Sequence, residues 1–158
     1  MKNIGVVIVT YNSRDYISNC INSINAEEEF DVDIVIVDNN SSDSTTSVIN
    51  TEFSSISLIK NKENLGYATA VNQGVKALKN DYILIINPDI EFKYGSIDTL
   101  YNKIYGDQSI GILGGQQVFP SGKWQRSFGE LPGVIDSLRN LFFITSLSNY
   151  IQKSIFQY

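Results

Sequence analysis

The sequence predicts an α/β domain with a mostly parallel central sheet. Short apolar runs alternate with segments of helical periodicity, which is the pattern of strand–helix–strand units. The clearest run, Ile83–Ile86, has no polar residue on either face, as in strands that helices cover on both sides. It ends in Asn87-Pro88-Asp89, where Pro88 cannot donate a ladder hydrogen bond. We therefore expect Asp89 just beyond the carboxyl end of the strand, where open α/β sheets bind ligands.

Strands and helices are predicted in strict alternation over the first hundred residues. The predicted strands are Ile4–Thr10, Asp33–Asp38, Ile56–Ile59 and Tyr82–Ile86. The first helix begins at Arg14 with Ser13 as its N-cap, and a short second helix ends near Glu52. The third helix opens at Asn64-Leu65-Gly66, and its apolar stripe is predicted to be Ala68, Val71, Val75 and Leu78. A fourth helix is predicted with Ser96 as its cap.

The remaining residues predict two further strands and a distinct tail. Ile110–Leu113 and Gln116–Phe119 have strand character, and Pro120-Ser121-Gly122 is typical of a turn. We expect one domain over residues 1–130 and an amphipathic helical tail over residues 131–158. Because large apolar side chains recur through the tail, it needs a partner. The tail could fold back on the sheet, pair with a second copy or another chain, or contact a membrane surface.

Composition excludes several kinds of chemistry. The chain has no histidine, and Cys20 is its only cysteine, which excludes histidine-dependent catalytic triads, histidine-ligated zinc and an internal disulfide. Chemistry must then use carboxylates, hydroxyls, amides, the backbone or a hard metal ion bound through oxygen. No basic tract points to nucleic acid. Apolar runs are too short for a membrane span or a secretory leader, so we expect a cytoplasmic protein.

Polar segments follow three strands and open one crossover helix, and all four should meet at one edge of the sheet. These segments are Thr10-Tyr11-Asn12, Asp38-Asn39-Asn40, Asn64-Leu65-Gly66 and Asn87-Pro88-Asp89. Each has a local explanation, since Asn, Asp and Ser favour turns and helix caps. Their convergence favours a ligand site. No glycine-rich phosphate loop occurs, so a bound diphosphate would need a divalent ion held by Asp89. Such an ion would also stabilise a departing diphosphate as a Lewis acid.

The order of these motifs resembles the family 2 glycosyltransferases, most closely the rhamnosyltransferase-like branch that builds bacterial surface polysaccharides. The motifs that carry the resemblance are Val6–Asn12, Val37–Asp43, Asn64–Ala68 with Asn72-Gln73-Gly74, and Asn87–Asp89. The resemblance implies a three-layer GT-A fold. It also implies a UDP- or dTDP-sugar donor, a saccharide or lipid-linked acceptor, Mg²⁺ or Mn²⁺ as cofactor, and transfer with inversion at the anomeric carbon.

The resemblance also implies roles for individual residues. Thr10 and Tyr11 would lie along the nucleotide base, Asp38 would accept a hydrogen bond from it, and Asp89 would bind the metal and the diphosphate. Asn87 stands where the family has the first Asp of an Asp-x-Asp motif. The nucleotide-sugar site so implied contains Thr10, Tyr11, Asn12, Asp38, Asn40, Asn64, Gly66, Asn72, Asn87 and Asp89. Pro120-Ser121-Gly122 and Gln125-Arg126-Ser127 resemble a later segment on the sugar or acceptor side.

One departure from the family concerns the general base. Family members continue into a segment with an acidic base that takes the proton of the acceptor hydroxyl. No Glu-Asp pair follows Asp89, so we expect a donor-binding half, truncated at its C-terminus, with weak or absent transfer by itself. Two alternatives stay open. The chain could be a non-catalytic remnant or subunit whose apolar tail pairs with another chain; the tail could instead contact the inner face of the membrane, which would make a cytoplasmic protein peripheral. It could also be another doubly wound domain, with Asp38 as its functional carboxylate.

Overall fold

The computed structural model describes residues 2–125, which belong to two compact units divided after Leu113. The first unit contains a four-stranded, fully parallel sheet with the strand order β3-β2-β1-β4. Its strands are β1 (Lys2–Thr10), β2 (Phe30–Asp38), β3 (Ser57–Lys60) and β4 (Ile83–Ile86). Its helices are α1 (Arg14–Asn25), α2 (Thr45–Glu52), α3 (Tyr67–Ala77) and α4 (Ser96–Gly106). The predicted alternation of strands and helices is confirmed.

The chain reverses its direction across the sheet between β3 and β4. From β1 the strands are added on one side, as β2 and then β3, and β4 is added on the other side of β1. Because parallel crossovers are right-handed, a reversal of direction moves the connecting helix to the opposite face. Accordingly α1 and α2 pack on one face and α3 on the other, which gives three layers. The carboxyl ends of β1 and β4 flank the point of reversal, where ligands bind in such sheets.

Two apolar clusters hold the layers together. On one face, alternate residues of β1 and β2 pack against α1, α2 and α4, with Ile8, Ile17 and Ile36 fully buried. On the other face, Val7 and Val37 pack beneath α3. Alternation of Val6, Val7, Ile8 and Val9 between the two faces explains why the strand is apolar throughout.

Several local predictions need correction. Among residues 2–125 no helix fully covers one face of the strand Ile83–Ile86, because α3 packs over β1 and β2, and Ile85 is 46% exposed. In α3 the buried residues are Ala70 and Gly74; of the predicted stripe, Val71, Val75 and Leu78 do pack against the same cluster, and only Ala68 is exposed. Ser13 occupies the N-cap position of α1 without a side-chain capping bond. The cap of α4 is Gly95, in a left-handed conformation.

The described part of the second unit, residues 114–125, is a β-hairpin. Its strands are β5 (Gln117–Val118) and β6 (Trp124–Gln125), paired antiparallel. The predicted turn is confirmed: the Gly122 N–H donates to the Phe119 carbonyl at 2.8 Å, and Gly122 has φ 79°. Gln116–Phe119 is a shorter strand than predicted, and Ile110–Leu113 forms no strand.

The predicted tail over residues 131–158 and the Arg126-Ser127 segment lie outside the described residues. Among residues 2–125, no helix combines the length and the apolarity that a membrane span requires.

Candidate functional site

A cavity of about 250 Å³ lies at the carboxyl edge of the sheet. It joins the ends of β1, β2 and β4 to the turn that opens α3, so the predicted convergence of these segments is confirmed. Its lining residues are Val9, Tyr11, Ser13, Asn39, Asn64, Tyr67, Asn87 and Pro88. Tyr11 and Tyr67 are each about half exposed, and partial burial raises the pKa of the Tyr67 phenol. The cavity thus combines aromatic surface with amide groups.

Asp38 ends β2 as a buried carboxylate, only 2% exposed. Its Oδ1 accepts hydrogen bonds from the Thr10 hydroxyl at 2.9 Å and from the Ser41 hydroxyl, and its Oδ2 accepts the Ser41 N–H at 2.9 Å. Thr10 is itself fully buried and directly opposite Asp38 in the parallel register. These bonds join the ends of β1 and β2. A carboxylate has about four lone-pair positions, so one on Oδ2 is left that no described residue occupies.

The loops after β1 and β2 are fastened to each other. Asn12, with φ 52°, accepts the Ser42 N–H on its Oδ1 at 2.8 Å, and its own N–H donates to the Ser41 hydroxyl at 2.9 Å. The backbone N–H of Arg14, at the start of α1, donates to the Asp43 carboxylate at 3.2 Å. Asn40 also has a positive φ, of 67°, which Asn tolerates better than most residues. The side-chain oxygen of Asn12 therefore shapes the loop.

Three side-chain amides link β2, β3 and α3, and none was among the predicted site residues, although two of them, Asn39 and Gln73, stand within the quoted motifs. Asn61 Nδ2 donates to Asn39 Oδ1 and to Gln73 Oε1, both at 2.9 Å, and Gln73 Nε2 donates back to Asn61 Oδ1 at 3.0 Å. Asn39, 3% exposed, donates to the Gly66 carbonyl at 3.3 Å. By contrast Asn72, the selected neighbour of Gln73, is exposed. The signal for Asn61 was its place just past the predicted strand Ile56–Ile59, with only Lys60 between them.

The Asn64-Leu65-Gly66 turn leads into α3. Asn64 Oδ1 accepts the Gly66 N–H at 2.9 Å, which is an Asx turn. Gly66 has φ 81° and ψ 160°, a region that essentially only glycine occupies. A Cβ at Gly66 would meet no described atom within 4 Å, so glycine is needed there for its backbone conformation.

The Asn87–Asp89 segment is the start of a β-turn in which Ile90 N–H donates to the Asn87 carbonyl at 3.3 Å. Pro88 takes the second position of the turn, which its fixed φ favours. Asp89, in the third position, is exposed and makes no hydrogen bond or ion pair with another described residue. Asp89 directly follows Pro88, which lines the cavity, and one exposed carboxylate fits Mg²⁺, which typically takes one or two carboxylates together with substrate phosphates. No group of three potential metal-ligating side chains occurs within residues 2–125.

Cys20 of α1 lies against this turn. Its thiol is fully buried and donates to the Asn87 carbonyl, with 3.8 Å between Sγ and O. Burial, followed by the negative charges of Asp89 and Glu91, raises the pKa of Cys20 to about 12. The group is therefore a neutral thiol at physiological pH and a poor nucleophile.

Comparison with known proteins identifies the family. The model of Glycosyl transferase family 2 matches residues 5–156. The chain belongs to that family. It is 28% identical over 141 residues to an N-acetylglucosaminyl-diphospho-decaprenol L-rhamnosyltransferase of Mycobacterium tuberculosis, an alignment that covers 82% of this chain and 46% of that protein. The family member described here thus spans about half the length of this relative.

Solved structures agree on the fold. S. aureus TarS 1-349 in complex with UDP-GlcNAc matches with a TM-score of 0.56 and 25% identity, over 67% of this chain and 32% of that one. The mannosyltransferase PcManGT from Pyrobaculum calidifontis, in complex with GDP-Man and Mn²⁺, matches with a TM-score of 0.59 and 19% identity, over 64% and 32%. The expected GT-A fold is confirmed by these neighbours.

Proposed function

We propose that this chain binds a nucleotide-diphospho-sugar and forms the donor half of an enzyme for cell-surface polysaccharide synthesis. The observation that carries the proposal is the cavity at the point of reversal, lined by Asn87 and Pro88 and followed in the chain by the exposed Asp89, in a member of family 2. The enzyme would transfer the sugar, with inversion, to a saccharide or lipid-linked acceptor. Similarity to the mycobacterial rhamnosyltransferase supports this class of reaction. Reaction with a lipid-linked acceptor would take place at the inner face of the membrane.

The nucleotide would occupy the cavity. Tyr11 and Tyr67 line it and offer aromatic faces to a base. Asp38 is 2% exposed and is not a lining residue, but one acceptor position on its Oδ2 is left for a base N–H. Asn64 and the first turn of α3 lie beside the same cavity, where unpaired backbone N–H groups favour anions. Similarity to TarS, a structure with UDP-GlcNAc, supports a UDP-sugar as donor, and dTDP is the alternative to test.

Asp89 would hold Mg²⁺ or Mn²⁺ together with the diphosphate, with Asn87 as a neutral neighbour. The ion would supply positive charge to the departing diphosphate. The chain itself supplies a rigid turn, because Pro88 fixes the backbone between the two polar residues. With a single carboxylate in the turn, metal affinity should depend strongly on the bound nucleotide.

Titration calorimetry with UDP and dTDP, each with and without Mn²⁺, tests the proposal. Asp89→Asn should weaken metal-dependent UDP binding by about tenfold or more, since an interaction with a charged group contributes about 1.5–3 kcal/mol. Asp81→Asn is the matched control, because Asp81 is exposed and precedes β4, at the opposite edge of the sheet. Equal affinities for the two variants would refute the role of Asp89. Absence of UDP and dTDP binding to the unmodified chain would refute the donor site.

A further inference from the structure

Helix α1 contacts the segment after β4 at three places. The Cys20 thiol donates to the Asn87 carbonyl, and Asn19 Nδ2 donates to Glu91 Oε1 at 3.2 Å. The Phe92 N–H donates to the Ser23 hydroxyl at 3.0 Å. Residues three and four apart share one face of a helix, so these side chains form a single surface. The contacts join parts of the chain separated by about seventy residues.

These contacts hold the chain both before and after Asp89. Between the end of β4 at Ile86 and the start of α4 at Ser96, the chain has no regular secondary structure. Its backbone is therefore held by individual hydrogen bonds. The contacts from α1 fasten it before Asp89, at Asn87, and after it, at Phe92.

A hydrogen bond within α1 orients the Ser23 hydroxyl so that its oxygen faces the segment after β4. Its hydroxyl donates to the Cys20 carbonyl, one turn earlier in α1, at 2.7 Å. A hydroxyl has one hydrogen and two lone pairs. With the hydrogen directed to its own helix, the oxygen can only accept, and it accepts the Phe92 N–H. The Ser23 hydroxyl thus presents a fixed acceptor to the segment after Asp89.

We propose that Asn19, Cys20 and Ser23 are positioning residues for Asp89, and that this face of α1 sets how strongly the metal couples to diphosphate binding. The inference rests on the proposed donor site. A carboxylate contributes most to a metal and its phosphates when its position is fixed before they bind, because little ordering then remains to be done. If the segment after β4 is held less firmly, UDP should bind more weakly in the presence of Mn²⁺ and equally well in its absence.

The test compares UDP affinity with and without Mn²⁺ for Ser23→Ala and Ser18→Ala in the full chain. Ser18 is the matched control, since it lies in α1 but bonds to Glu52 of α2 at 2.8 Å. Ser23→Ala should lower the ratio of the two affinities about fivefold, the factor that about 1 kcal/mol for one hydrogen bond represents. Ser18→Ala should leave the ratio unchanged. Ser23→Thr, which keeps the hydroxyl, should restore it.

Each other outcome has a distinct meaning. An unchanged ratio in Ser23→Ala, with a reduced ratio in Asp89→Asn, would overturn the positioning role and leave the donor site standing. An unchanged ratio in both variants would refute the metal-binding role of Asp89, and with it the positioning role. Absence of UDP binding to the unmodified chain would overturn the donor site itself. Equal losses with and without Mn²⁺ in Ser23→Ala would indicate general destabilisation and would also overturn the positioning role.

Amide hydrogen exchange supplies a measurement that needs no nucleotide. Loss of the Ser23 hydroxyl should speed exchange of the Phe92 N–H, because its acceptor is removed. Exchange at Phe92 should stay at the wild-type rate in Ser18→Ala. If Ser23→Ala left that exchange rate unchanged, the contact would not restrain the segment, and the inference would fail whatever the nucleotide measurements gave.

Discussion

Substitution of Gly74 by alanine tests how tightly α3 packs on the sheet. A Cβ at Gly74 would lie 2.5 Å from Val7 Cγ1 and 3.3 Å from Val37 Cγ2. The first distance falls about 1 Å short of the ~3.5 Å at which carbon atoms attract. Both valines are fully buried in β1 and β2, so neither can turn away into solvent. The helix would have to move outward.

The expected cost follows from two opposing effects. Overpacking a well-packed core costs about 1–3 kcal/mol. Replacement of glycine by alanine within a helix gains about 1 kcal/mol. Since the contact is far below any normal distance, we expect the upper part of the first range and a net loss of about 1–2 kcal/mol in the free energy of unfolding. Gly106→Ala is the control, because Gly106 ends α4 and a Cβ there would meet no described atom within 4 Å.

Urea unfolding measures both variants, with a lower midpoint at constant slope as the sign of lost stability. Gly74→Ala should unfold earlier than wild type, and Gly106→Ala at the same concentration or later. Val7→Ala removes the atoms that clash, so its effect should not add to that of Gly74→Ala. We expect a coupling of about 0.5–3 kcal/mol between the two substitutions. Equal stability of the two glycine variants, or strict additivity, would refute the packing argument.

Three further predictions concern single residues. Cys20 should resist thiol reagents in the native protein and react after denaturation, because it is buried and its pKa is raised to about 12; rapid native labelling would contradict this. For Asp43, burial raises the pKa but the hydrogen bonds from Thr45 and Arg14 outweigh it, so the pKa in the folded protein lies below that of an ordinary aspartate. The ionised Asp43 therefore stabilises the folded protein above the ordinary pKa of aspartate, and this stabilisation is lost as pH falls through the pKa of the folded state. Asp43→Asn should flatten the acid side of the stability–pH curve measured by urea unfolding. An unchanged curve would refute the contribution of Asp43. Gly66→Ala should cost about 1–3 kcal/mol in urea unfolding, since the backbone there is left-handed, and wild-type stability would refute the strain.

Local sequence patterns were sufficient to predict most strands and helices of the first unit. β1 and β2 were predicted to end at Thr10 and Asp38, as observed, because each apolar run stops at polar residues. The end of β4 followed from Pro88, which has no N–H for the ladder. Prediction failed where the burial of a residue depends on whether another helix or strand packs over it. Ile85 has the sequence context of a buried strand residue, yet no described helix covers it.

The candidate site was predicted in outline but not in its internal bonds. Asn39 stood within a selected segment, and Asn61 and Gln73 were overlooked, because nothing local indicates that three amides far apart in sequence share hydrogen bonds. Thr10 and Asn12 were selected as ligand contacts. In the structure Thr10 donates to Asp38, and Asn12 bonds to the loop after β2. Their roles toward a nucleotide stay predictions.

The sequence by itself determined the alternation of strands and helices, the polar ends of the strands and the exclusion of histidine chemistry, because these depend on neighbouring residues and on composition. Tertiary structure alone decided which strands are adjacent, which face α3 covers, and that α1 reaches across to the segment around Asp89. Those features depend on contacts between residues far apart in the chain. Periodicity identifies an apolar face but carries no information about which surface will cover it.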